Sequence, residues 1–259
     1  MGGIPLGPVL ASAISIIYVN HPESKINLNS YLNLFADDAK VHYFFQVVRL
    51  SLHDAQLLLD DPRNAGMKVI HLMRDPRGSL NSRWSLYWCL SPECRDSETV
   101  CRQQLADLKL VPELEGSYPS RYKFVLYEDL SLRPDKVVRE LWRFLNLKPN
   151  RRTLALLARN TKTPSTQPYS TLRNSPCHTF SWRKKLNYTM LTKVQEKCKD
   201  VIWGLGMRLF ASEEEYRNLS VSVMLKEGPS PACMEAELEG AGGGSFVGVA
   251  REGQFDLHI

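Results

Sequence analysis

The sequence predicts an α/β fold, a parallel sheet with flanking helices, on three observations. Short apolar runs of strand type alternate with segments of helical period. Helix starts marked by Ser or Asp-Pro follow those runs. The 259 residues, 43% hydrophobic and 24% charged, suffice for one large domain or two small ones.

The elements fall in order between residues 45 and 210. Phe44–Leu50 (FFQVVRL) is a short apolar run, and SLHDAQLLL follows as a helix with Ser51 as its N-cap and Asp54 three residues on. That helix stops before Asp61-Pro62. KVIHLM (Lys68–Met73) is the next strand, and Asp75-Pro76 open a helix behind it. YKFVLYEDL (Tyr122–Leu130) reads as a third strand. A helix begins near Pro134, with Val137, Val138, Leu141, Phe144 and Leu145 at helical spacing. A last helix runs from about Met190 to Trp203.

Charge divides the chain into the same three pieces. Residues 45–210 hold 28 Lys/Arg against 16 Asp/Glu, while 1–44 and 211–259 are net acidic, so the overall +5 conceals a basic middle. A basic globular segment favours anionic ligands, although a solvated basic surface accounts for the charge equally well. Residues 211–259, with SEEEYRNLS, EGPSPA and GAGGGS, have the composition of a disordered tail. None of the six cysteines forms a C-x-x-C pair, which argues against a zinc ribbon and leaves disulfides and reduced thiols both open. Asn187-Tyr188-Thr189 and Asn218-Leu219-Ser220 are glycosylation sequons. The apolar run Ile4–Val19 has two prolines and no basic flank before it, and is shorter than the roughly 20 residues a spanning helix needs.

The informative stretch is VIHLMRDPRGSLNSRW, Val69–Trp84. After the strand, Asp75 can cap and Pro76 can occupy the first turn, so the helix N-terminus faces the strand's carboxyl edge. That edge is where open α/β sheets bind ligands, and a helix N-terminus suits an anion. Asp75, Gly78, Ser79 and Ser82 share one helical face, and three of the four are Gly or Ser, so something bulky can approach closely. Leu80, Trp84 and Tyr87/Trp88 lie on another stripe, as a core face would. Arg74 at the strand end, with a serine hydroxyl, is good phosphate chemistry. Spacing alone also allows ordinary helix–sheet packing, with Arg74 paired to Asp75 or Glu128.

The same stretch resembles the 3′-phosphate-binding motif of sulfotransferases, which use 3′-phosphoadenosine-5′-phosphosulfate (PAPS). Three further blocks resemble Golgi carbohydrate sulfotransferases, in the right order: VLYEDLSLRPDKVVRELWRFLNL, NTKTPSTQPYSTLRNS and FSWRKKLNYTMLTKVQEKC. The subgroup is that of the N-acetylglucosamine, galactose and GalNAc 6-O-sulfotransferases. The resemblance implies that Arg74 and Ser82 hold the nucleotide 3′-phosphate, with Arg77 and Arg83 as further motif positions. It also implies that Thr171, Arg173, Asn174 and Ser175 line the nucleotide pocket, where an ordinary polar turn is the alternative. Glu128, Asp129, Trp182 and Arg183 read as structural, and His71 as a satisfied core histidine. PAPS is the implied co-substrate, without a metal. The implied partner is a glycan acceptor rather than a nucleic acid. A Golgi location and a membrane anchor belong to the family, and no anchor is read in this sequence.

Residues 1–44 resemble something else. GGIPLGPVLASAISIIYVN followed by SYLNLFADDAK is similar to the palm of retrotransposon reverse transcriptases, where a Gly-x-Pro-x-Gly turn and apolar helix precede an aromatic-x-Asp-Asp box, here Phe35-Ala36-Asp37-Asp38. Adjacent carboxylates at a hairpin tip suit Mg²⁺, but the rest of a polymerase is not in the chain. The segment therefore reads as a fragment without polymerase activity. No Arg-Ser/Thr-Gly-rich 5′-phosphosulfate loop precedes residue 45. The expected fold is thus the P-loop-NTPase-like sulfotransferase fold lacking its first strand and that loop, with a buried sheet edge left unpaired. Weak or no turnover is expected, the alternatives being a non-catalytic nucleotide- or glycan-binding remnant and a transposon-derived nucleic-acid-binding protein.

Overall fold

A computed structural model describes residues 14–20, 32–37, 40–47, 50–148, 151–164 and 172–226. Strands β1 (Ile14–Asn20), β2 (Leu32–Asp37) and β3 (Lys40–Val47) precede helix α1 (Leu52–Asp60). Then come β4 (Met67–Met73), α2 (Pro76–Trp84), α3 (Pro92–Arg95), α4 (Ser97–Ser117) and β5 (Tyr122–Leu126). Helices α5 (Tyr127–Leu132), α6 (Pro134–Leu145) and α7 (Arg151–Lys162) follow. Helices α8 (Ser175–Thr179), α9 (Trp182–Lys185), α10 (Tyr188–Gly204) and α11 (Glu213–Arg217) complete the described chain.

The sheet order is β2-β3-β1-β4-β5. Only β4 and β5 pair in parallel, in the register Val69↔Tyr122 to Met73↔Leu126. The expectation of a wholly parallel sheet is corrected by β1, which lies antiparallel between β3 and β4, with Ile14 opposite Leu72 and Val19 opposite Met67. The expected unpaired edge is corrected with it. Backbone N–H and C=O groups of a buried strand need partners, and on this side of β4 the N-terminal segment supplies them. Of the apolar stretch that the polymerase resemblance places in a helix, Ile14–Asn20 forms this strand. Asp37 ends β2 opposite Lys40, while Asp38 lies outside the described residues.

Both faces of β4 are covered, as its near-continuous apolar run requires. Val69 packs with α1 and α4 through Leu52, Leu59, Val111 and Leu114. Ile70 and Leu72 point the other way, onto Val125, Val137 and Leu145. Met73 joins the largest cluster, built from α2, α4, α9, α10 and the chain beyond.

Other boundaries differ from expectation for physical reasons. Tyr127–Leu130 is helical rather than strand, since the chain turns into α5 directly after Leu126. Helix α4 escapes the apolar-period test because Gln104 and Asp107 occupy its inner face. They are working residues there: Asp107 accepts the Leu52 N–H at the start of α1, and Gln104 donates to the Arg74 carbonyl. Tyr87 and Trp88 are exposed rather than core, because α2 ends at Trp84 and the chain leaves its surface. Of the tail expected to be disordered from residue 211, residues 227–259 lie outside the described residues, while the part up to 226 is ordered. Ser212 caps α11, Tyr216 is fully buried, and Val223 is buried too. Cys89–Cys94 and Cys101–Cys198 are disulfides, which settles the question that spacing left open.

Candidate nucleotide site

The parallel register brings β4 and β5 to their carboxyl ends side by side, so Arg74 and Tyr127 leave the sheet as neighbours. The Arg74 guanidinium lies over the Tyr127 ring, 4.4 Å from its centroid. Its other side faces α2. A methyl group built on Gly78 would sit 3.1 Å from Arg74 Nε and 3.2 Å from Nη2. The small-residue face predicted on α2 therefore has a definite occupant at Gly78, the guanidinium itself, with the Trp182 ring 3.0 Å away. Arg74 is mostly buried, yet its Nε has no hydrogen-bond partner within the protein. Ser82 lies one turn beyond Gly78 on the same face and is half-buried. An aromatic-backed guanidinium with uncommitted donors, followed by a hydroxyl along one helix face, fits a phosphate.

The motif's other arginines are engaged elsewhere. Arg77 is completely buried and grips Asp75 in a bidentate pair, Nε to Oδ1 at 3.0 Å and Nη2 to Oδ2 at 2.8 Å. Its Nη1 donates to the Arg208 carbonyl at 2.7 Å and to Gln195, and Trp182 stacks on it. Asp75 meanwhile caps α2 through the Arg77 N–H. Arg77 thus ties α2 to α10 and to the chain at Arg208, with these donors all engaged within the protein. Arg83 is buried as well, donating to the Cys94 carbonyl at 3.0 Å beside the Cys89–Cys94 disulfide.

Glu128 is fully buried, and its Oε1 accepts the Asp75 N–H at 3.2 Å while Oε2 has no partner. Desolvation first, and then the Asp75 charge, push its pKa up to about 8 against the opposing pull of Arg74. Asp129 pairs with Arg133 on the surface. His71 donates or accepts at Nδ1 with the Tyr122 hydroxyl at 2.9 Å, while Nε2 is unpartnered. Burial lowers its pKa to about 4, so the ring is neutral at ordinary pH.

In the late loop, Thr171 lies outside the described residues. The Arg173 N–H donates to the Asn160 carbonyl of α7, and Asn174 and Ser175 open α8. Helix α8 packs on α5, which brings Ser175 to the element that begins with Tyr127. Arg183 is structural: its guanidinium meets the carbonyls of Tyr216, Asn218 and Val221 and packs on Phe210. Trp182 is buried and stacks with Tyr216. Sequence reasoning gave Tyr127 no role, although its place at a parallel strand end beside Arg74 marks it.

The arrangement is that of an α/β protein with a candidate site at the carboxyl edge of its parallel strand pair. Comparison with known proteins is specific. A sulfotransferase domain model matches residues 50–206. Human carbohydrate sulfotransferase 1 is 32% identical over 71% of this chain and 49% of its own length. Human carbohydrate sulfotransferase 5 is 29% identical over 66% of this chain and 47% of its own, and rat carbohydrate sulfotransferase 3 is 29% identical over 78% and 46%. The chain belongs to the carbohydrate sulfotransferase family, a sulfotransferase class of enzyme with PAPS as its implied sulfate donor. It spans about half the length of the curated relatives it matches. No solved structure matches it. No helix among the described residues is long and apolar enough to cross a membrane.

Proposed function

We propose that this chain supplies the nucleotide-recognition half of a PAPS site serving sulfate transfer to the 6-hydroxyl of N-acetylglucosamine, galactose or GalNAc in glycans. The observation that carries the reading is the Arg74 guanidinium, backed by Tyr127 and set against Gly78, with Nε uncommitted. Arg74 and Ser82 take the 3′-phosphate in this reading, and Arg173, Asn174 and Ser175 approach from the α7–α8 side. Arg77 and Arg83 hold the scaffold. PAPS, when bound, brings the activated sulfuryl group; Arg74 anchors the nucleotide's far end and so fixes where that group lies.

The disulfides favour an oxidising, secretory compartment such as the Golgi lumen. Turnover by this polypeptide alone is slow or absent, because no residue is identified as the acceptor's general base. Nor does a Gly-rich 5′ loop match in the sequence. Residues 1–44 we read as a polymerase-like fragment, not a polymerase, whose Ile14–Asn20 and Leu32–Asp37 join the sheet. The test is calorimetry with adenosine 3′,5′-bisphosphate, paired with labelled PAPS and a GlcNAc-ended acceptor. Binding lost in Arg74→Ala supports the proposal, binding unchanged in that variant overturns it, and brisk turnover overturns the claim of slow chemistry.

A further inference from the structure

Among the described residues, helices α6 and α7 carry a strongly uneven charge that borders the candidate nucleotide site. Between Arg133 and Lys162 the chain carries nine Lys/Arg against two acids, Asp135 and Glu140. At 3.6 residues per turn, Lys136, Arg139 and Arg143 fall within about 60° of arc on α6, and Arg151, Arg152, Arg159 and Lys162 within about 100° on α7. All seven are exposed. Helix α6 turns Val137 and Leu145 onto the sheet and α7 packs against α6, so the two exposed stripes lie on neighbouring helices. Among the described residues, none of the seven meets a carboxylate within ion-pair distance; Arg133, outside the stripes, pairs with Asp129. Like charges three and four apart on a helix repel by about 0.2–0.5 kcal/mol per pair, and Arg139–Arg143 and Arg159–Lys162 are such pairs.

We propose that this face docks a sulfated polysaccharide, holding an already anionic glycan chain while one of its sugars reaches the transfer site. Three observations favour that occupant over other polyanions. The Cys89–Cys94 and Cys101–Cys198 disulfides place the domain in an oxidising compartment, away from nucleic acid and from the anionic cytosolic leaflet. The chain belongs to a family whose members carry the name carbohydrate sulfotransferase. The stripe also runs into the candidate site, since Asn160, near the end of α7, holds the Arg173 N–H at 2.8 Å. Helix α7 alone is about 18 Å long, enough for several sugar rings. The inference rests on the family assignment and on the charge face, not on nucleotide binding by Arg74.

The test uses the full chain and fluorescence polarisation with a labelled chondroitin sulfate oligosaccharide, its desulfated counterpart, single-stranded DNA of matched charge, and phosphatidylserine vesicles. Arg143→Glu/Arg151→Glu/Arg152→Glu weakens binding of the sulfated chain by about tenfold or more and flattens its salt dependence. An equal change of net charge elsewhere, Arg102→Glu/Lys109→Glu/Lys199→Glu, weakens it far less. Circular dichroism and the affinity for adenosine 3′,5′-bisphosphate stay unchanged in the first variant, which separates this face from the nucleotide site. Equal losses in the two triple variants reduce the effect to net charge and overturn the proposal. Tighter binding to DNA or to vesicles than to the sulfated chain also overturns it.

Discussion

Gly78→Ala separates the roles of fold and site at one position. In a helix interior, Gly→Ala ordinarily stabilises by up to about 1 kcal/mol. Here the new methyl would lie 3.0 Å from Trp182 Cδ1 and 3.1 and 3.2 Å from Arg74 Nε and Nη2. Trp182 is 1% exposed and stacked on Tyr216, so it has little room to move. The Arg74 head sits on a flexible stem with no hydrogen bond at Nε, so the arginine yields. Overpacking of this kind costs about 1–3 kcal/mol, which the propensity gain partly offsets, and relaxation of Arg74 places the cost at the low end. Net stability should therefore fall by about 1 kcal/mol or less. Binding responds differently, because a displaced guanidinium loses charge-assisted hydrogen bonds worth about 1.5–3 kcal/mol, or about 10- to 150-fold in Kd. Urea unfolding gives the first quantity and calorimetry with adenosine 3′,5′-bisphosphate the second. A folded variant that keeps its affinity would refute the placement of Arg74 at the phosphate.

Arg183→Met leaves the carbonyls of Tyr216, Asn218 and Val221 without their donor. It should lower the unfolding free energy by about 3 kcal/mol or more, and protease cleavage near residues 213–218 should appear first. Glu128 gives a pH signature: its folded pKa of about 8 lies above the ordinary glutamate value of 4.5, so the native state keeps a proton that the unfolded chain releases. Stability from that group is full below about pH 4.5 and is lost as pH rises toward 8; thermal melts of Glu128→Gln should lack this decline, and an identical slope in both proteins would count against it. Cys101→Ser/Cys198→Ser opens a loop of 97 residues between α4 and α10, for which the chain-entropy model gives about 4–5 kcal/mol; a urea midpoint unchanged by the double substitution would contradict that.

What was legible in the sequence was whatever local chemistry decides. Ser51 and Asp75 cap the helices they precede, each accepting the N–H that its spacing suggested. The strand Met67–Met73 shows as a near-continuous apolar run because both of its faces are covered. What stayed hidden depends on partners distant in sequence. Helix α4 carries polar residues inward because they serve α1 and Arg74, 55 and 30 positions away. The acidic run Glu213–Glu215 looks like tail because its anchor, Tyr216, is held by Trp182, Arg183 and Phe210. Antiparallel pairing of β1 has no local mark either, since an apolar run of seven residues fits a strand or a helix until its neighbour is known.

The Arg-Asp-Pro-Arg stretch contains two arginines because it performs two tasks that one guanidinium cannot combine. A buried guanidinium needs its charge and donors satisfied, and Arg77 achieves this with Asp75, Gln195 and the Arg208 carbonyl. That satisfaction fixes Asp75, which fixes the start of α2, and therefore the position of Gly78. Arg74 gains from this frame without joining it: Tyr127 and the bare Gly78 face orient its head by shape and ring electrostatics, which leave donors unengaged. Glu128 completes the division. With its pKa raised by burial and by the Asp75 charge, it favours the neutral form while it holds the Asp75 N–H. An ionised carboxylate there would compete with a phosphate for the same guanidinium. Burial of the acid and exposure of the arginine's donors to one helix face are therefore two halves of one requirement, that the positive charge at the end of β4 remain available to an anion.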